Sequence, residues 1–178
     1  MKSLNISIFG EKDVGKTTLI EDYIGEKKHE KKNKGISVSF QKTFKDGNKM
    51  KLILSEFSDI PDKKRDIATH HCIIIMFDMT SRAAFEDVLD KWIKFLREIN
   101  YNNSIILLGT KNYKKEKALP MTDDKEVKEL IVVTGIKGSF IDISNKTKEQ
   151  KNSLIDNLIE NSYEDAKNNM NKKDCNIF

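Results

Sequence analysis

Apolar residues recur along this chain in two rhythms, and the change from one to the other marks out nearly every element. Leu4, Ile6 and Ile8 fall on alternate positions, as on a strand that runs into Gly10. Leu19, Ile20 and Tyr23 then take helical spacing, which predicts a helix starting near Lys16. Residues 26–34 are polar, largely basic and without an apolar period, and predict an exposed loop. Ile36, Val38, Phe40 and Phe44 alternate, Asp46-Gly47-Asn48 carries turn chemistry, and Met50, Leu52 and Leu54 alternate on the return, so a hairpin is expected. Residues 57–71 are again polar and aperiodic. The run 72–77 is continuously apolar and ends at Asp78, the pattern of a central strand covered on both faces. Phe85, Val88, Leu89, Trp92, Ile93, Leu96 and Ile99 form a long helical stripe, which makes Trp92 a core residue. Residues 105–108 predict a fifth strand. Thr122, Asp123 and Asp124 open a helix that carries Val127, Leu130 and Ile131 and stops at Gly135. Phe140, Ile141 and Ile143 predict a sixth strand. Thr147 and Gln150 then match a capping box ahead of Leu154, Ile155, Leu158 and Ile159.

Strand and helix alternate from end to end, which predicts the α/β class, a mostly parallel sheet with helices on both faces. At 178 residues the chain suits one domain, placed at residues 1–166, with 167–178 as a flexible tail because little after Tyr163 can be buried. The apolar share of 38% and charged share of 34% are those of a globular protein, and no run reaches the roughly 18 apolar residues of a membrane span. The apolar stretch 4–9 is too short for a signal peptide, and two cysteines give no disulfide framework, so a reducing, cytoplasmic setting is expected. The net charge of +4 comes from lysines gathered between the periodic segments, which reads as solvated loops and predicts no nucleic-acid partner. His70-His71 is not expected to hold a metal, since adjacent residues on an extended segment point to opposite faces.

Gly10-Glu11-Lys12-Asp13-Val14-Gly15-Lys16-Thr17 has the form G-x-x-x-x-G-K-[ST] and lies between a predicted strand and a predicted helix. Successive backbone N–H groups of such a loop, together with the helix N-terminus, converge on a phosphate. Phosphate contacts are therefore expected over residues 10–17 and at Thr18. Lys16 supplies a point charge to the terminal phosphates, and the Thr17 hydroxyl is a candidate Mg²⁺ ligand.

Three further segments resemble the Ras superfamily of small GTPases, nearest its Rab and Ran branches. The run from Cys72 through Asp78-Met79-Thr80-Ser81 to Glu86 is similar to a strand and helix start of those branches. Gly109-Thr110-Lys111 resembles the base-recognition motif, and Ser144-Asn145-Lys146 resembles the second base motif. The resemblance implies a P-loop NTPase fold with a six-stranded sheet, one strand of it antiparallel. It also implies GTP and GDP as ligands with Mg²⁺, base contacts from Thr110, Lys111, Tyr113, Ser144, Asn145 and Lys146, and a magnesium contact from Glu56. Exchange factors and effectors would meet a monomer through two switch segments.

Several positions depart from the family pattern. Gly35 stands where the first switch carries its phosphate-sensing threonine. Glu56-Phe57-Ser58-Asp59-Ile60 stands where the second switch carries D-x-x-G-Q, so no glutamine orients a water and Asp59 is expected to put negative charge near the terminal phosphate. Tyr113 replaces the aspartate that reads guanine, which predicts a weakened preference for that base. Lys12 replaces a small residue at the terminal phosphate, either crowding it or stabilising its transition state. The expected activity is slow GTP hydrolysis, with Lys16 and Lys12 as its catalytic cations. The alternative is a pseudo-GTPase that holds nucleotide without turnover. Cys175-Asn176-Ile177-Phe178 fits a C-a-a-X prenylation signal on Cys175, which would place the protein on the cytosolic face of a membrane for part of its time.

Overall fold

In the computed structural model all six expected strands form, and a seventh joins them. The structure describes residues 3–25, 30–33, 36–110 and 122–174. The chain runs β1 (Ser3–Phe9), α1 (Lys16–Ile24), β2 (Glu30–Asn33), β3 (Ile36–Thr43), β4 (Lys49–Phe57), α2 (Lys64–Ala68) and β5 (Cys72–Asp78). A helical rod follows, made of α3 (Arg82–Asp87), a π-helical turn (Val88–Ile93) and α4 (Lys94–Glu98). Then come β6 (Ser104–Thr110), α5 (Asp124–Thr134), β7 (Gly138–Asp142) and α6 (Lys148–Asp174).

The strands lie in the order β2-β3-β4-β1-β5-β6-β7. β1 is parallel to β4 and β5, and β5, β6 and β7 run on in parallel. β3 is antiparallel to both of its neighbours, so it alone is reversed among the described strands. Glu30–Asn33 forms the added edge strand where a loop is expected. Its sequence lacks an apolar rhythm because an edge strand needs only backbone pairing with Ile36 to Ser39.

Each face of the sheet has its own core. Ile6, Ile8, Leu52, Leu54, Ile74 and Met76 pack with Ile20, Tyr23, Ile155 and Ile159 of α1 and α6. Phe9, Ile73, Ile75 and Phe77 pack on the other face with Trp92, Phe95 and Val127. Trp92 is stacked on Phe9 with centroids 5.1 Å apart, as its stripe predicts. β5 is buried along six successive residues. These two cores fix the strands' C-terminal ends, the edge where open α/β sheets hold ligands.

Caps follow local chemistry. The Thr147–Gln150 box closes reciprocally at 2.9 and 3.3 Å, and Gly135 ends α5 at φ 64°. Asp123, rather than Thr122, caps α5, in a box with Glu126. α6 does not stop at residue 166 but continues to Asp174, and Lys167 still meets Asp46 at 3.0 Å. No helix among the described residues is long and apolar enough to cross a membrane.

Candidate phosphate-binding site

β1 delivers the chain to Gly10, and six residues later α1 begins at Lys16. Three backbone positions in the loop have positive φ: Gly10 at 148°, Asp13 at 61° and Gly15 at 105°. At Gly10 the demand for glycine is double, because a Cβ would also collide with the Met76 carbonyl oxygen at the end of β5. Val14 turns its side chain into the core and pins the loop from beneath. Gly15 precedes α1 without a side-chain cap, and the first turn carries no acidic residue. The leading N–H groups of this nine-residue helix thus meet no capping side chain, an arrangement suited to an anion.

Lys16 is 4% exposed. Its Nζ donates to the Gly10 and Glu11 carbonyl oxygens at 2.9 and 2.6 Å, leaving the third N–H of an ammonium for a ligand. Burial pulls its pKa below the ordinary lysine value, while Glu56, Asp13 and Glu11 oppose that pull. A cavity of about 360 Å³ opens over these groups, lined by Lys12, Asp13, Gly15, Lys16, Thr17, Thr18, Glu56 and Ser58. Six of the nine residues expected to hold phosphate therefore line one space. Of the other three, Gly10 and Glu11 act through carbonyls that hold Lys16, and Val14 acts through the core.

The two expected magnesium ligands meet here. Thr17 Oγ1 donates to Glu56 Oε1 and Oε2 at 3.0 and 2.9 Å, so a hydroxyl and a carboxylate from α1 and β4 share the cavity wall. These are hard oxygen donors, the type Mg²⁺ takes. Among the described residues no cluster of three acidic, histidine or cysteine side chains is placed to hold a metal. The pair therefore fits an ion that arrives with phosphates and completes its shell from them and water.

Asp59 is not on the cavity wall, and its neighbour Ser58 is there instead. Lys91, in the π turn, takes the Asp59 carboxylate at 2.9 Å and holds its pKa below the usual range. Lys12 is exposed at the cavity rim.

The base end is built differently. Thr110 is buried and its hydroxyl donates to the Phe77 carbonyl at 3.1 Å, so the side chain braces β6 against β5. Ser144 donates through N–H and Oγ to Asp142 Oδ1 at 2.8 and 2.6 Å. Thr80 does the same to Asp78 Oδ1, giving β5 and β7 matching polar turns. Asn145 is exposed at the β7 turn, and the Lys146 N–H closes that turn on the Ile143 carbonyl. Gly35, Lys111, Tyr113 and Cys175 lie outside the described residues.

At the opposite end of the sheet, His71 Nδ1 accepts the Asn5 N–H at 3.1 Å, which leaves the ring proton on Nε2. His70 Nδ1 meets the Ser7 hydroxyl, and burial pushes the His70 pKa down to about 4. The histidine pair ties the start of β5 to β1. A sequence model described as Ras family matches residues 5–164 of the chain.

Proposed function

This chain belongs to the Ras family of small GTPases, and from that premise we propose a guanine-nucleotide switch, nearest the Rab and Ran branches, that hydrolyses GTP slowly. The observation that carries it is the buried Lys16, held by two loop carbonyls at the floor of an open cavity beside the uncapped start of α1. In this reading the backbone of residues 10–16 wraps the β-phosphate, and Lys16 neutralises the terminal phosphates. Thr17 and Glu56 hold Mg²⁺, which when bound offsets charge on the phosphate oxygens. Lys12 at the rim is the chain's own cation toward the terminal phosphate.

Slow turnover follows from what the cavity offers an attacking water. None of the eight residues on its described wall is a glutamine, and Ser58 is what the segment after β4 contributes to it. Asn145 is the base contact at β7, joined by Lys111 and Tyr113, and with tyrosine in place of a carboxylate the guanine preference is weak. Prenylation at Cys175 would give reversible membrane attachment. A pseudo-GTPase that holds nucleotide without turnover is the second reading, favoured by the same missing glutamine.

Nucleotide released from purified protein and identified by mass spectrometry tests occupancy and base together. Bound GDP or GTP is the expected result. An empty protein that also takes up no nucleotide at millimolar GTP or GDP with Mg²⁺ would sink the proposal. Single-turnover hydrolysis then separates the readings: a slow Mg²⁺-dependent rate abolished by Lys16→Ala supports the GTPase, and no rate at all supports the holding module.

A further inference from the structure

The chain enters β5, β6 and β7 from the end of the sheet opposite the phosphate loop, so the residues just before these parallel strands lie side by side. His71 precedes β5, Asn102 and Asn103 precede β6, and Lys137 precedes β7. The second half of α6 passes over this edge, where Asp165 accepts the Ser104 hydroxyl at 3.1 Å. Between the helix and the strand starts lies a cavity of about 610 Å³, within the size range of small-molecule sites. It shares no residue with the cavity over the phosphate loop.

The hydrogen bonds already made decide what these groups have left to offer. Asn102 and Asn103 spend side-chain N–H groups on the Asn100 and His70 carbonyls, at 2.9 Å each. Their amide oxygens are left as acceptors. Asp165 engages Ser104 through one carboxylate oxygen and keeps the other. Three acceptors, one of them charged, therefore come from the start of β6 and from α6. The donors come from the two flanking strands. His71 accepts the Asn5 N–H through Nδ1, so its Nε2 carries the proton. Burial holds its pKa below the ordinary histidine value, which keeps the ring neutral and that N–H in place. Lys137 has no ion-pair partner among the described residues.

Asp165 and Lys137 thus face one cavity with opposite charges and do not pair with each other. A ligand that carries both an ammonium and a carboxylate satisfies each of them. Its three N–H donors match the Asp165 oxygen and the two asparagine oxygens, and its carboxylate matches the Lys137 ammonium and the His71 Nε2–H. Asn168 and Asn169, one turn beyond Asp165 on α6, line the same space and have no hydrogen-bond partner among the described residues. Each presents a complete primary amide, which pairs with a second amide by donating and accepting at once.

We propose that this cavity binds a free α-amino acid as its zwitterion, with preference for an amide side chain such as that of glutamine. Asp165, Asn102 and Asn103 take the ammonium, Lys137 and His71 take the carboxylate, and Asn168 with Asn169 reads the side chain. The site does not depend on the nucleotide reading.

Chemical-shift titration of the isotope-labelled full chain tests it with L-glutamine and three relatives: N-acetyl-L-glutamine without the ammonium, L-glutaminamide without the carboxylate, and L-leucine without the amide. Glutamine is expected to saturate with a Kd of about 1 mM or tighter, shifting the backbone signals of Asn103, Ser104 and Lys137. Each relative should bind about three- to tenfold more weakly, the scale of one partly exposed charged or amide contact. Asp165→Asn should weaken glutamine by about tenfold and leave N-acetylglutamine unchanged, and Lys137→Met should weaken glutamine and leave glutaminamide unchanged. A residue that merely supports the fold would move both ligands of such a pair together, and that result would overturn the assignment. Equal affinities for glutamine, N-acetylglutamine and glutaminamide in the wild type would also overturn it, whatever the variants do. So would the lack of any saturable shift at this edge of the sheet with about 20 mM glutamine.

Discussion

Lys16 and His70 lie at opposite ends of the same sheet, each a basic group whose pKa is lowered chiefly by burial. Around Lys16 three carboxylates, Glu56, Asp13 and Glu11, oppose the desolvation and favour the ammonium. Around His70 only Asp66 opposes it, while His71 reinforces it, and the ring is pushed down to about 4. The same physical cost therefore has two outcomes. At the ligand end it stores a charge with a donor still available. At the far end it fixes a neutral ring whose Nδ1 meets the Ser7 hydroxyl, while Asn103 donates to the backbone carbonyl of the same residue.

The largest way to break this contrast is Gly10→Ala, which places a methyl against the Met76 carbonyl at a φ of 148°. We expect about 3 kcal/mol of lost stability and no nucleotide binding, read by urea denaturation and equilibrium dialysis. Lys16→Met comes next. It removes a buried cation, so nucleotide affinity should fall by about a hundredfold or more while the unliganded protein keeps its denaturation midpoint. A fall in both together would mean that Lys16 serves the fold rather than the ligand.

The far end is probed by pH. In the unfolded chain His70 takes its proton near 6.5, but in the folded protein only near 4, so the unfolded state binds more protons between those values. Stability from this site is fully present above pH 6.5 and drains away as pH falls toward 4. About 2 kcal/mol is expected after allowing for partial solvent contact. Urea midpoints across that window should show the slope, and His70→Gln should flatten it. The smallest effect is expected at the base end, where Asn145→Ala should lower the GTP-to-ATP affinity ratio by about three- to tenfold, measured by competition.

The glycine loop and the groups around its cavity were legible in the sequence because their parts are local. Eight consecutive residues carry the loop, and flanking apolar rhythms supply the strand and the helix that aim it. Glu56 could be placed because it ends a strand of clear alternation. Thr110 could not be understood that way, since its hydroxyl partner, the Phe77 carbonyl, is supplied by a neighbouring strand 33 positions earlier. The partner of Asp59 was hidden for the same reason: Lys91 captures it from a helix whose sequence stripe advertises only its buried face. β2 escaped notice because backbone pairing alone makes it a strand. The length of α6 was hidden by its polar sequence, although Tyr163 and Lys167 both reach the hairpin turn at Asp46.

That last contact reverses the usual behaviour of a hairpin. Phe44 stacks on Tyr163 with centroids 4.0 Å apart, and Lys42 bridges Asp156 and Glu160 at 2.7 and 3.2 Å. The turn, commonly the first part of such a ribbon to fray, is here riveted to α6. β3 is then held at both ends, by α6 at its remote tip and by strands on both edges from Ser37 to Ser39. Amide exchange should therefore be slow at Ser37 as well as at Thr43, so that a push on the start of the strand is carried along it to the helix.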